Sequence, residues 1–244
     1  MWLFRKTDPS ELLSNSKYVS IVGAGGKTTL MEYSARGAVL DGRSVAVTTT
    51  TKIYATEPYV LFEDLFSPNS FDNKTREGFL RIGKTLEEGK LTGLSFSDLQ
   101  IVGSLFDLVL IEADGAKQYP LKRHAAHEPV IVPFSDRVFV VAGLDALHRT
   151  VRESVFRWKS TRRSADISRD TAISVDIFSG FFSRSILMKN VEPAKCTVIL
   201  NKYDVLREKR KAVEMAKKIL KETGVKDVVI ASPLHRLFYR LTAA

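Results

Sequence analysis

Residues 21–30 read IVGAGGKTTL: Gly23, Gly25 and Gly26 fall within four consecutive positions, and Lys27, Thr28 and Thr29 follow at once. Ahead lies YVSIV, residues 18–22, an apolar run of strand length. Behind it, KTTLMEYSARGAVLDG places Leu30, Tyr33 and Ala38 at near-helical spacing and stops at Gly42. A buried strand that passes through a glycine-rich turn into a helix has few folds open to it. Without Cβ atoms, backbone N–H groups can close around an anion, and the helix start adds unpaired donors and the positive end of its dipole. This is the layout of a P-loop, in which Lys27 reaches the β- and γ-phosphates of a nucleotide and the Thr28 hydroxyl ligates Mg²⁺. The plain alternative is a strand-to-helix turn that holds no ligand.

The common spacing G-x-x-x-x-G-K-[ST] needs a glycine at position 21, where this chain has Ile21. The loop is therefore a short form, Gly23-Ala24-Gly25-Gly26-Lys27-Thr28, with Thr29 completing its first helical turn. It is similar to the GTNGKT loop of Mur ligases and folylpolyglutamate synthases.

The rest of the chain alternates apolar runs with helical patterns. RSVAVTTTT, FDLVLIEADG, RVFVVAGLDAL, CTVILNKYD and DVVIAS read as strands, each ending in polar residues. FSDLQIVGSLF and VLREKRKAVEMAKKILKET read as helices, the second with Val213, Ala216, Ile219 and Leu220 on one stripe, and a helical stretch is expected near residues 151–180. FEDLFSPNSFDNKTREG is turn-rich, and FLRIGKTLEEGKLTGLS looks like a hairpin. Strands apolar on both faces and joined by helices imply a mostly parallel sheet covered on each side, with ligands beyond the carboxyl ends of its strands. The expectation is a single domain over residues 1–244, a three-layer α/β P-loop NTPase-like fold with insertions near 57–106 and 149–193.

Among 244 residues there is one cysteine, Cys196, inside the run CTVIL, so no internal disulfide forms and a reducing compartment fits. The apolar runs fall far short of the roughly 20 residues that cross a bilayer. The start, MWLFRKTDPSELL, lacks the apolar core of a secretory signal, so a cytoplasmic protein is expected. The net charge of +9 attracts nucleic acid, acidic proteins and phosphorylated ligands alike. The basic helix after Arg207 is interrupted by glutamates and carries no interleaved aromatics, which argues against nucleic acid.

Two further motifs bear on a nucleotide. In LVLIEADGAK, Glu112 or Asp114 would hold Mg²⁺ directly or through water and orient an attacking water, and Glu112 to Gly115 resembles the D/E-x-x-G element of GTPases whose glycine N–H meets the γ-phosphate. NKYD follows a strand and matches the N-K-x-D guanine-reading motif of GTPases, a resemblance by which Asp204 would accept from guanine N1–H and the 2-amino group, Lys202 would lay its stem along the base, and Asn201 would brace the loop. GTP is thereby favoured over ATP. The alternative for Asp204 is an N-cap to a helix beginning at Val205. TTTTK offers Thr50 as a further Mg²⁺ ligand and Lys52 as a phosphate or substrate contact. Lys117, Lys122, His127 and Glu128 are candidate contacts to a second substrate or a partner. In KRHAAHEP, the order H-x-x-H-E over His124, His127 and Glu128 is not that of a zinc-protease helix, and Pro129 would end such a helix.

Taken in order, VGAGGKTTLM, VAVTTTTKIY, GKLTGL, LIEADGAKQYPLK, HEPVIVP, VVAGLDAL and ILNKYD resemble the selenium-dependent hydroxylase accessory protein family called YqeC, from about residue 18 to the tail. The resemblance implies a nucleotide-binding maturation factor associated with the selenium-containing molybdenum cofactor of xanthine dehydrogenase-like hydroxylases. It puts the phosphate loop on Gly23 to Thr28, the acidic strand end on Glu112 to Gly115, and the HEP signature on His127 to Pro129. The partners expected are a nucleotide and a molybdenum hydroxylase or its cofactor intermediate. Two rival readings are an ATP-dependent ligase or kinase acting on a small anionic substrate, and a non-enzymatic basic scaffold or RNA binder.

Overall fold

The computed structural model describes residues 2–67, 78–160 and 167–243. Ten strands form one sheet: β1 (Trp2–Lys6), β2 (Tyr18–Gly23), β3 (Val45–Thr49), β4 (Val60–Leu61), β5 (Leu80–Gly83), β6 (Leu108–Glu112), β7 (Arg137–Gly143), β8 (Cys196–Asn201), β9 (Asp227–Ser232) and β10 (Leu237–Ala243). Their order across the sheet is β1-β10-β9-β8-β7-β2-β6-β3-β5-β4. From β9 to β4 every neighbouring pair is parallel, and antiparallel β10 and β1 close one edge. The fold is mixed α/β with a large, mostly parallel sheet.

Both faces of the sheet are covered. On one side α1 (Pro9–Leu13) and α2 (Lys27–Leu40) bury Leu12, Leu13, Leu30, Met31, Ala35 and Ala38 against Val19, Ile21, Val47, Leu110 and Val141. On the other, α3 (Phe96–Leu105) packs Leu99 and Val102 against Val109 and Ile111. On that same side, beside the short α4 (Val151–Ser154), α5 (Val175–Gly180) and α6 (Lys209–Thr223) cover β7, β8 and β9. The α6 stripe is Ala212, Met215, Ala216, Ile219 and Leu220, with Val213 partly buried beside it. Each of its large members contributes about 2 kcal/mol by leaving water.

Three expectations need correcting. Residues 57–106 are not a simple insertion: β4 and β5 extend the main sheet, because Leu80 and Ile82 are apolar enough to pair beside β3. The hairpin expected from residue 79 is therefore confined to Leu86–Glu87 and Lys90–Thr92, which Lys52–Tyr54 joins as a third strand. The segments WLFRK and LFYRLTA form strands that the apolar pattern did not announce. Most of the turn-rich stretch from Ser67 onward, and residues 161–166 of the expected helical stretch, lie outside the described residues.

The chain runs from β2 out to β3 and on to the edge strand β4, steps back through β5 and β6, and then crosses to β7 on the other side of β2. The strand order thus reverses at β2, and the region beyond its carboxyl end is the place where sheets of this kind bind ligands. No helix among the described residues is long and apolar enough to cross a membrane.

Candidate functional site

The glycine loop joins the carboxyl end of β2 to α2, and its backbone is shaped first by the protein itself. Gly23, Gly25 and Gly26 have φ of +97°, +80° and +101°, values that L side chains rarely adopt. A Cβ on Gly23 would lie 2.2 Å from the Val141 carbonyl oxygen, and one on Gly25 would lie 2.1 Å from the Gly143 nitrogen. The glycines let the loop press against β7, where Ala24 N–H donates to the Val141 carbonyl (2.9 Å) and Gly25 N–H to the Tyr119 carbonyl (2.9 Å). Asn201, at the end of β8, donates from Nδ2 to the Gly25 carbonyl at 2.8 Å and so braces the loop from the other side. Its Oδ1 is buried without a partner.

Gly26 then caps α2 in a left-handed conformation without any side-chain cap. A helix start leaves four N–H groups unsatisfied. No described residue accepts from the N–H of Gly26, Lys27, Thr28 or Thr29, and Thr28 and Thr29 are exposed. Four donors at the positive end of a 14-residue helix are therefore left without a protein acceptor at the carboxyl end of β2.

The Lys27 ammonium turns beneath the loop, donating to the Gly23 carbonyl (2.8 Å) and lying 3.1 Å from Asp114 Oδ1 and 3.6 Å from Glu112 Oε1, with its side chain 3% exposed. Burial alone would lower its pKa, yet the two carboxylates raise it above the usual lysine range. Asp114 is fully buried. Its Oδ2 accepts from Gly23 N–H (2.9 Å) and lies 3.1 Å from Lys122 Nζ and 3.2 Å from His124 Nδ1. Burial by itself would raise the Asp114 pKa, but Lys27, His124 and Lys122 hold it far below the ordinary carboxylate range.

The expectation that Asp114 ligates Mg²⁺ or orients water does not match this placement: its oxygens are enclosed under the loop, where they lock Gly23 and Lys27. Glu112 is better disposed. Its Oε2 accepts from the Thr28 hydroxyl at 3.1 Å, beside the open N–H groups. A hydroxyl and a carboxylate oxygen placed together suit Mg²⁺, a hard cation that keeps several waters and takes its remaining ligands from phosphate. Thr50, expected as a further Mg²⁺ ligand, donates its hydroxyl to the Val130 carbonyl (2.8 Å) and its N–H to the Glu112 carbonyl (3.1 Å). Among the described residues no group of three or more His, Cys, Asp and Glu is placed to hold a metal by itself.

Lys122 and Glu128, read from the sequence as substrate contacts, are interior. Lys122 is fully buried between the Gly115 carbonyl (2.6 Å), Glu128 Oε2 (2.8 Å) and Asp114, while Arg157 and the Ala125 N–H also reach Glu128 Oε2. Burial would raise the Glu128 pKa, but Lys122 and Arg157 bring it below its ordinary value. Gly115 offers its carbonyl inward to this group. Lys117 is exposed on a turn of positive φ, its ammonium 5.7 Å from the centre of the Phe156 ring. Lys52 sits on the three-stranded hairpin sheet, exposed and paired with Glu87 at 2.6 Å. His127 lines a groove of about 380 Å³ with Phe96, Pro129, Val132 and Lys195, which shares no lining residue with the loop.

Beyond β8, Lys202 is left-handed (φ +62°) and pairs with Asp145 at 2.8 Å, its stem passing beside Gly26. Asp204 does not cap a helix at Val205; α6 begins only at Lys209. Instead Asp204 lies in the 3-10 turn Tyr203–Val205 and accepts from the Ser232 hydroxyl at 2.6 Å, with its side chain 23% exposed. Asn201, Lys202, Asp204 and Ser232 thus gather at the ends of β8 and β9, on the flank of the glycine loop. Sequence reasoning missed Asp145, Arg157 and Tyr119. Asp145 was detectable, since it follows an apolar strand as Asp204 does, whereas Tyr119 acts only through its carbonyl.

The YqeC protein family matches residues 19–159, more than half of the chain and all of the loop, acidic and ion-pair residues up to Arg157. An uncharacterized YqeC protein of Escherichia coli (strain K12) is 31% identical over 188 residues, covering 69% of this chain and 70% of its own length. With a family model matched over more than half of its length and a relative 31% identical over 69% of it, this chain belongs to the YqeC family.

Proposed function

We propose that this chain is a P-loop nucleotide-binding protein that takes a Mg²⁺-bound nucleoside triphosphate, GTP in preference to ATP, at the start of α2. One observation carries the reading: the N–H groups of Gly26, Lys27, Thr28 and Thr29 have no acceptor among the described residues and lie at the carboxyl end of β2, where the strand order reverses. Anionic phosphate oxygens satisfy such donors. Thr28 and Glu112 are the residues that would hold Mg²⁺, which when bound neutralises phosphate charge.

The chain's own groups then divide the work. Lys27 leaves Asp114 and Glu112 to meet the phosphates, Asn201 keeps the loop braced through the Gly25 carbonyl, and Asp204, backed by Ser232, accepts from the guanine N–H groups. Hydrolysis is slow in isolation, and the nucleotide state gates docking to a molybdenum hydroxylase or its cofactor intermediate. That role extends from the family resemblance.

Calorimetric titration with GTP and ATP, each with and without Mg²⁺, tests the reading. Wild type should bind Mg²⁺-GTP more tightly than Mg²⁺-ATP, Lys27→Ala should lose most of that affinity, and Asp204→Asn should erase the preference. Absence of binding to wild type at millimolar nucleotide removes the proposal, and a strong ATP preference removes its base-reading part. Equal capture of the apo-hydroxylase with and without nucleotide removes the gating.

A further inference from the structure

Asp114 is held by two lysines, one on each oxygen. Lys27 is 3.1 Å from Oδ1 and Lys122 is 3.1 Å from Oδ2, and all three side chains are at most 3% exposed. The two lysines are anchored differently. Lys122 is fixed at three points, by Asp114, by Glu128 and by the Gly115 carbonyl, whereas the attachments of Lys27 all lie beneath the loop from which it must depart to meet a phosphate.

The formal charges of this group balance: Lys27, Lys122 and Arg157 face Glu112, Asp114 and Glu128. Removing one partner of a buried pair is strongly unfavourable because it leaves an uncompensated charge in the interior. If Lys27 were the sole cation on Asp114, its departure would incur that penalty in full. With Lys122 in place, Asp114 keeps an ion pair, the Gly23 N–H bond and the His124 ring nitrogen at 3.2 Å after Lys27 has left.

We infer that Lys122 is the positioning residue of the phosphate loop: it holds Asp114 in a standing ion pair, so that Lys27 can move to phosphate without leaving Asp114 as an uncompensated buried charge. The inference rests on the nucleotide reading given above and adds to it a residue that touches no ligand. Through the Gly115 carbonyl, Lys122 also fixes the peptide that follows Asp114.

Two measurements on the purified full chain test this, one of them free of nucleotide. In trace acylation with acetic anhydride read by mass spectrometry, Lys27 should react more slowly in Lys122→Met than in wild type, because Asp114 then has no second lysine and holds Lys27 more tightly. It should react faster in the double variant Asp114→Asn/Lys122→Met, where the Asp114 charge is gone and only Glu112 and the Gly23 carbonyl hold Lys27. In titration with Mg²⁺-GTP, Lys122→Met should bind at least about tenfold more weakly, and the double variant should return to within about threefold of wild type. A purely structural role for Lys122 predicts the opposite labelling, with Lys27 loosened and more reactive in Lys122→Met, and no recovery in the double variant. Either of those results, or wild-type affinity in Lys122→Met, overturns the inference. If the labelling pattern appears but wild type takes up no nucleotide, the nucleotide reading fails while the hold of Lys122 on Asp114 stands.

Discussion

Substituting alanine at Gly25 separates two reasons for a glycine in this loop. If the residue is small only to admit phosphate, Gly25→Ala lowers nucleotide affinity and leaves the empty protein as stable as before. The structure gives a different expectation. The new Cβ would stand 2.1 Å from the Gly143 nitrogen and 2.5 Å from its Cα, both backbone atoms of the packed β7 end that no rotamer change can move. The positive φ of +80° adds about 1–2 kcal/mol for any residue with a Cβ. Relieving the overlap means shifting the loop by an ångström or more, which breaks the Gly25 N–H bond to Tyr119 and strains the Gly143 N–H bond to Pro120, each worth about 1 kcal/mol net. The sum is about 3 kcal/mol or more. For a chain of this size that lowers the melting temperature by about 6 °C or more. Calorimetry or urea denaturation without nucleotide measures it directly. Gly37→Ala in α2, where a Cβ meets nothing within 4 Å, is the control and should stabilise by up to about 1 kcal/mol. A Gly25→Ala protein within 1 kcal/mol of wild type would refute the reasoning.

Asn201→Ala removes the brace on the Gly25 carbonyl and should lower stability by about 1–2 kcal/mol in urea denaturation. Because Asp114 has a depressed pKa, its stabilisation is present above the unfolded carboxylate value of about 3.9 and is lost as pH falls below it. Denaturation midpoints of wild type should therefore drop more steeply from about pH 5 to pH 2 than those of Asp114→Asn, and parallel curves would contradict this. Lys52→Ala breaks only an exposed pair with Glu87, so the melting temperature and nucleotide affinity should both be unchanged; a loss of affinity would return Lys52 to the site.

The expectations that held share a physical basis. The runs that became β2, β3, β6, β7, β8 and β9 are apolar on both faces and bounded by polar or glycine residues, so periodicity alone marks them as buried strands joined by helices. Asn201 could be read as a brace because its distance from an apolar strand end is short. The edge strands were opaque for the converse reason: β1 is exposed along its whole length and earns its place through pairing with β10, a contact between the two ends of the chain. The residues 80–83 gave a hairpin-like pattern because strand propensity says nothing about which partner a strand will find.

By itself, then, the sequence determined the strand, turn and helix around Gly23 to Thr28 and the parallel core that supports them, since local sterics and apolar periodicity are written in adjacent residues. Tertiary structure decided which charged groups face which. It turned Lys27 under its loop, enclosed Asp114 and paired Lys122 with Glu128, leaving the N–H groups at the start of α2 open. Whether a lysine meets a carboxylate or solvent depends on burial and on neighbours far away in the chain, and no local pattern records either.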